Sequence, residues 1–189
     1  VILISEMGSL VLAYPMFQRL QQTYPEAELF ALMFARNREV LDIMGVTAPS
    51  NVLTIRDTSL FTLLADIVTV LRTMRRLKVD VVIDCELFSR ISSIFSFLSG
   101  APVRVGFHAH TQEGLYRGSY INRPVMYNPY NHIGKQFLTL AAAIESKAVP
   151  TSKVAVDFQD LAPPKLSFAQ EDVSRMQERL RGDFPATAN

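Results

Sequence analysis

The chain opens Val1-Ile2-Leu3-Ile4-Ser5-Glu6-Met7-Gly8-Ser9-Leu10, and the reading of this stretch decides the fold. Residues 1–5 form a short apolar run of the kind found in strands buried on both faces. A polar turn containing Gly8 follows, and then apolar residues Leu10, Ala13, Tyr14, Phe17 and Leu20 recur at helical spacing. Strand, tight turn, helix is the ligand-binding corner of an open α/β sheet, because ligands collect beyond the carboxyl ends of parallel strands. Glu6 and Ser9 are the polar residues at that corner and the first candidates for chemistry. Pro15 falls inside the helical pattern, where it either kinks the helix or marks a later start, since it lacks a backbone donor.

The same alternation runs outward from this corner. Strand signals lie at 28–34, 51–55, 79–84 and 103–107, and helical periodicity at 38–44, 60–77, 89–99 and 132–144. The run Val81-Val82-Ile83 is the clearest strand. Segment 111–130, rich in Gly, Tyr, Asn and Pro, reads as a long loop with some extended pairing, and loops of that length are more often functional than accidental. Beyond residue 148 the pattern weakens at Pro150, Pro163 and Pro164, with a last helix over 167–180. Strands alternating with helices predict a Rossmann-like, doubly wound parallel sheet. The loops after Ser5, Phe34, Ile55, Asp84 and Phe107 then share one cleft. Residues 1–148 read as that domain, and 149–189 as a connector and helix.

Composition narrows the function. The 189 residues are 49% hydrophobic and 20% charged with a net charge of +1, so bulk electrostatics do not argue for nucleic acid. One cysteine, Cys85, excludes an internal disulfide and a cysteine-rich zinc site. No apolar run approaches the ~20 residues of a spanning helix. No basic leader with a cleavage site is read at the start. The chain begins without Met inside a strand and ends in a loop, which reads as a piece of a longer protein. The first turn lacks the three-glycine dinucleotide fingerprint and the Gly-Lys-Ser/Thr of a phosphate loop, so dehydrogenase and P-loop ATPase readings fit poorly.

Four stretches together carry a resemblance: Ile2-Leu3-Ile4 through Gly8 to Val11-Leu12-Ala13-Tyr14-Pro15; Val81-Val82-Ile83-Asp84 with Ser89-Arg90 and Ser99-Gly100-Ala101; Arg104-Val105-Gly106-Phe107; and Asn131-His132 with Gln136-Phe137-Leu138-Thr139-Leu140-Ala141. In this order they resemble the amino-terminal half of glycosyltransferase family 9, the ADP-heptose:lipopolysaccharide heptosyltransferases. The resemblance implies a GT-B fold, in which this domain holds the acceptor and a second Rossmann-like domain holds the nucleotide sugar. It implies inverting transfer to a lipopolysaccharide or other glycan acceptor, no cofactor and no metal, and a cytoplasmic location. It also implies an aspartate after the turn glycine as base, whereas here Ser9 follows Gly8. A serine hydroxyl is no useful base near neutral pH without a partner. Glu6, three residues earlier, is the replacement base on this reading, with Ser9 capping the helix or binding a sugar hydroxyl. The alternative is a non-catalytic carbohydrate- or partner-binding module that has lost the base.

Other candidates have two readings each. Gly8 serves backbone geometry or close approach to a ligand. Asp84, Cys85 and Glu86 end the central strand, where Asp84 and Glu86 bind acceptor hydroxyls or cap the helix near Ser89. Arg90, Arg104, Arg117 and Arg123, read as lying on or beside cleft loops, suit acceptor phosphate or carboxylate. His108 and His110 are two apart without a Cys or Asp cluster, so a metal is disfavoured and His108 joins the acceptor set. His132 starts a helix or faces the cleft. Tyr116, Tyr120, Tyr127 and Tyr130 stack on sugars or pack the loop. Arg72, Arg75, Arg76 and Lys78 solvate a helix end or touch anionic headgroups in a peripheral contact with the inner membrane surface.

Overall fold

The computed structural model describes residues 1–4, 6–87, 89–108, 118–146, 163, 164, 166 and 168–184. Its strands are β1 (Ala31–Phe34), β2 (Val52–Ile55), β3 (Val81–Asp84), β4 (Val103–His108) and β5 (Arg123–Met126). All named pairs are parallel: β1 with β2, β3 with β4, and β4 with β5. The opening segment joins the two groups. Ile2 bridges both Leu32 and Asp84, its N–H donates to the Ile83 carbonyl at 2.8 Å, and Leu3 N–H donates to Leu32 at 3.0 Å. The order is therefore β2, β1, opening segment, β3, β4, β5. The opening run is the middle of a parallel sheet, and the expected Rossmann-like fold is the observed one.

Period-two alternation explains why helices cover both faces. Leu3, Met33, Ile83, Val105 and Phe107 point to one core, with Leu10 of α1 (Met7–Leu12), Met16 and Phe17 of α2 (Tyr14–Thr23), Leu41 of α3 (Arg38–Met44) and Phe137 of α6 (Ile133–Ala142). Ile2, Leu32, Ile55 and Val82 point the other way, onto Val70 and Met74 of α4 (Leu60–Arg76) and Phe95 of α5 (Arg90–Leu98).

Local chemistry sets the helix ends. The first helical pattern is two helices, α1 and α2, joined at Ala13, whose N–H bonds to Ser9 at 2.9 Å and Leu10 at 3.2 Å. Pro15 sits in the first turn of α2, where its missing donor costs little. Gly45 ends α3 at φ 60°, the left-handed cap that glycine adopts without strain. Ser59 and Thr62 form a capping box at the start of α4: Ser59 Oγ accepts from Thr62 N–H at 3.2 Å, and Ser59 N–H donates to Thr62 Oγ1 at 3.1 Å. The Tyr-rich segment contributes β5, whose Pro124 is tolerated because this strand lies at the sheet edge. A last helix, α7 (Gln170–Asp183), has no buried residue. The expected boundary at 148/149 lies outside the described residues.

Candidate acceptor pocket at the carboxyl edge

Because the strands are parallel, their carboxyl ends at Ile4, Phe34, Ile55, Asp84 and His108 share one edge of the sheet. Where the ladder ends, side chains take over from it. Ile4 N–H donates to Glu86 Oε1 at 2.6 Å, and Asn37 Nδ2 donates to the Ile4 carbonyl at 3.3 Å. Glu86 follows β3 and Asn37 follows β1, so residues from both flanking strands clamp the peptide groups just before Glu6. Asn37 is buried, which makes its amide part of the sheet edge. The chain then turns at Glu6, the residue preceding α1, with extended backbone at φ −123°.

This turn borders a pocket of about 140 Å³. Glu6, Ser9, Cys85 and Glu86 line it beside Leu3, Leu87, Ile133 and Phe137. Glu6 is exposed on the pocket side of the turn, and its Oε2 accepts a hydrogen bond from Ser9 Oγ at 3.2 Å. The site thus combines two carboxylates and a hydroxyl over an apolar floor. Few polar groups above apolar walls is the usual chemistry of a small-molecule or sugar site. One Glu86 oxygen is committed to Ile4 N–H. The Glu6 carboxylate, exposed and accepting from the Ser9 hydroxyl, is the group better placed to exchange a proton with a ligand.

Several expectations change with the geometry. Ser9 is not the helix cap: α1 begins at Met7 after Glu6, and Ser9 is its third residue. Gly8 has no positive φ, so backbone geometry does not demand glycine there. A Cβ at Gly8 meets nothing within 4 Å, which leaves that surface open to a ligand. Asp84 is 0% exposed and does not reach an acceptor. Its Oδ1 accepts from Glu86 N–H at 3.1 Å and its Oδ2 from Ser96 Oγ at 3.4 Å, so it ties the β3 turn to α5. Neither Asp84 nor Glu86 caps α5, because Ser89 caps it, accepting from Ser92 N–H at 3.2 Å.

Arg104 is the second residue of β4 and therefore belongs to the amino edge, away from the pocket. It donates to the Tyr120 and Ala101 carbonyls at 2.6 Å each and lies 5.7 Å from the Phe97 ring centroid, fastening the edge strand. Arg123 also starts its strand at the amino edge, donating to the Asn122 carbonyl at 3.2 Å. Arg90 is the exposed first residue of α5 and is not among the pocket-lining residues. His108 ends β4 at the carboxyl edge. Arg117, Tyr116 and His110 lie outside the described residues.

His132 starts α6, its Nδ1 accepting from Gly134 N–H at 3.1 Å, which places the neutral ring's proton on Nε2. Tyr127 packs edge-on against Phe107 at 5.7 Å, Tyr120 lies 5.1 Å from Phe97, and Tyr130 is exposed. Cys85 is a buried core residue whose Sγ sits 3.9 Å from Met16 Sδ.

Asn37 and the charges after β1 and β2 carry no signal in the sequence. Arg36 pairs with Asp57 at 2.5 Å and lies 4.9 Å from the Phe34 ring centroid. Arg56 grips Asp66 with two guanidinium bonds of 2.8 Å and a backbone N–H bond of 2.9 Å. Those bonds hold the Asp66 carboxyl down at about 2. Both pairs pin the β2 turn, and spacing gives no signal for them. A larger cavity of about 360 Å³ lies at the opposite, amino edge, and none of the pocket's polar residues lines it.

Fold and pocket together define a parallel α/β domain with its polar site beyond the strands' carboxyl ends. No protein-family model and no curated protein sequence matches the chain. Solved structures share its fold. The Escherichia coli ADP-heptose LPS heptosyltransferase II superposes with a TM-score of 0.67 at 18% identity, over 95% of this chain and 49% of that one. A glycosyl transferase family 9 protein from Veillonella parvula gives a TM-score of 0.72 at 12% identity, over 100% and 49%. The E. coli heptosyltransferase WaaC with ADP gives 0.63 at 16% identity, over 77% and 47%. The chain therefore spans about half the length of each.

Proposed function

We propose that this chain is the amino-terminal, acceptor-holding half of a family 9 glycosyltransferase of the GT-B type. The observation that carries the reading is the position of Glu6: a carboxylate just beyond the opening segment in the middle of the sheet, lining a pocket with Glu86 and Ser9. Likeness in fold to a heptosyltransferase II and a family 9 protein, each covered over about half its length, supports it. Those relatives' names suggest ADP-heptose as the donor class and a lipopolysaccharide-type glycan as the acceptor.

In this mechanism the acceptor hydroxyl sits in the pocket and donates its proton to the Glu6 carboxylate as its oxygen attacks the anomeric carbon. The bond from that carbon to the diphosphate breaks, and the electron pair leaves with the nucleoside diphosphate. A single displacement from the opposite face inverts the anomeric centre. Ser9 orients the carboxylate, while Glu86 and Asn37 keep the strand end fixed. A rigidly placed base contributes typically ~10²–10⁴-fold to rate. Glu6 stands in for the aspartate that the resemblance places at position 9.

Proton NMR of the product made by the complete protein tests the reading. Incubation with nucleotide sugars and a glycan acceptor yields a glycoside of inverted anomeric configuration. Retained configuration contradicts the single displacement. Acceptor binding without transfer from any donor favours the non-catalytic module, the reading suggested by serine standing at position 9 where the resemblance implies an aspartate.

A further inference from the structure

The helices α4 and α5 are neighbours on one face of the sheet. Val70 and Met74 of α4 share a core with Phe95 of α5, and Arg75 Nε donates to the Leu98 carbonyl at 2.8 Å. Each also carries large apolar side chains outward: Leu60, Phe61, Leu64 and Val68 on α4, and Ile91, Ile94 and Phe97 on α5. Positions 60, 64 and 68 are one turn apart, as are 91, 94 and 97, so each set forms a ridge. Phe61 is 86% exposed and Ile91 67%. Single exposed apolar residues are ordinary, but a contiguous group marks an interaction surface.

The α4 ridge then changes character. Arg72, Arg75 and Arg76 continue it, and Lys78 follows the helix, all of them exposed. The acidic residue within α4 is Asp66, and it is engaged by Arg56; α5 contains no acidic residue. The outer face of α4 is therefore apolar at its start and cationic at its end, α5 adds apolar side chains beside the exposed Arg90, and neither helix exposes a carboxylate. An apolar face bordered by Lys and Arg is the pattern of helices that lie in the plane of a lipid interface. The capping box at Ser59 holds the first turn of α4, so Phe61 and Leu64 are presented on ordered backbone.

We propose that this outer face docks on an anionic lipid bilayer surface. Phe61, Leu64 and Ile91 enter the headgroup boundary, while Arg72, Arg76 and Lys78 meet lipid phosphates. Both helices begin at the carboxyl edge of the sheet, so Phe61 and Ile91 lie toward the pocket end of the domain. Docking there brings the pocket's edge toward the membrane, as a lipid-anchored glycan acceptor requires. Lipid binding itself does not depend on the transferase reading.

Sedimentation of the complete protein with phosphatidylcholine vesicles, with and without phosphatidylglycerol, tests the proposal. Binding requires phosphatidylglycerol and weakens with salt, because screening shortens from about 10 Å at 0.1 M to about 3 Å at 1 M. The double variant Arg72→Ala/Arg76→Ala binds roughly 25-fold more weakly, since each cation near such a surface contributes about fivefold. Phe61→Ser binds about tenfold or more weakly through lost apolar burial. These side chains are exposed, so both variants keep the wild-type thermal unfolding profile and transfer to a soluble, lipid-free acceptor at the wild-type rate. That last control separates failure here from failure of the Glu6 assignment. Absence of wild-type binding, equal binding to neutral vesicles, or variants that bind like wild type each overturn the proposal. So does light scattering that shows a dimer lost in Phe61→Ser while vesicles are ignored.

Discussion

Glu6→Gln in the complete protein lowers kcat by about 10²-fold or more and leaves the acceptor KM within a few-fold of wild type. The substitution is nearly isosteric. A glutamine side-chain oxygen still accepts the Ser9 hydroxyl, now 3.2 Å from the carboxylate, so pocket shape and acceptor contacts persist. What disappears is the ability to take a proton as the acceptor oxygen attacks. Loss confined to kcat marks an interaction made in the transition state rather than in ground-state binding. Because Glu6 is exposed and its carboxylate accepts from a side-chain hydroxyl that the amide oxygen can serve equally, the variant unfolds at the wild-type temperature. Steady-state kinetics beside thermal unfolding checks both halves. A wild-type kcat removes Glu6 from the chemistry, and a raised KM with unchanged kcat assigns it to binding alone.

Phe107→Ala destabilises the fold by about 3–5 kcal/mol, the range for deleting a fully buried aromatic side chain. Phe107 is 0% exposed on β4, edge-on to Tyr127 at 5.7 Å and 6.5 Å from Phe137. It is the point where β4, the loop after β5 and α6 meet. Truncation removes the transfer free energy and both ring contacts, and leaves a cavity that a flanked sheet cannot close. At roughly 2–4 °C per kcal/mol for a chain of this size, the midpoint falls by about 6–20 °C. Differential scanning calorimetry reads it. Phe137 also lines the candidate pocket, so acceptor affinity falls as well. A shift below a few degrees contradicts the placement of Phe107 at the centre of this core.

What the sequence disclosed follows from which interactions are local. Val81-Val82-Ile83 and the opening apolar run declare buried parallel strands, because sheets covered on both faces need continuous apolar sequence. Pro15 announced a break, and the observed junction at Ala13 shows that the pattern had merged two helices. The strand β5 was half-visible: Pro124 and the surrounding Tyr, Asn and Gly disguise a strand that only an edge position tolerates. The position of Glu6 and Glu86 beside the pocket was legible, because strand ends in a parallel sheet face one cleft. Arg104 was misassigned although its place at the start of a strand already put it at the amino edge. Asp84 was misassigned because a strand's last residue points into a core as readily as into a cleft, and Ser96 on α5 decided which. Asn37 and the Arg56–Asp66 pair were invisible, since each depends on a contact between elements that no spacing in the chain encodes.

A crystal structure of the complete protein with its glycan acceptor tests the central claim most directly. The expected complex has an acceptor hydroxyl within hydrogen-bond reach of the Glu6 carboxylate, about 2.6–3.2 Å, with the sugar ring over Leu3, Ile133 and Phe137. An acceptor bound elsewhere on the domain, with Glu6 turned to bulk solvent, contradicts it.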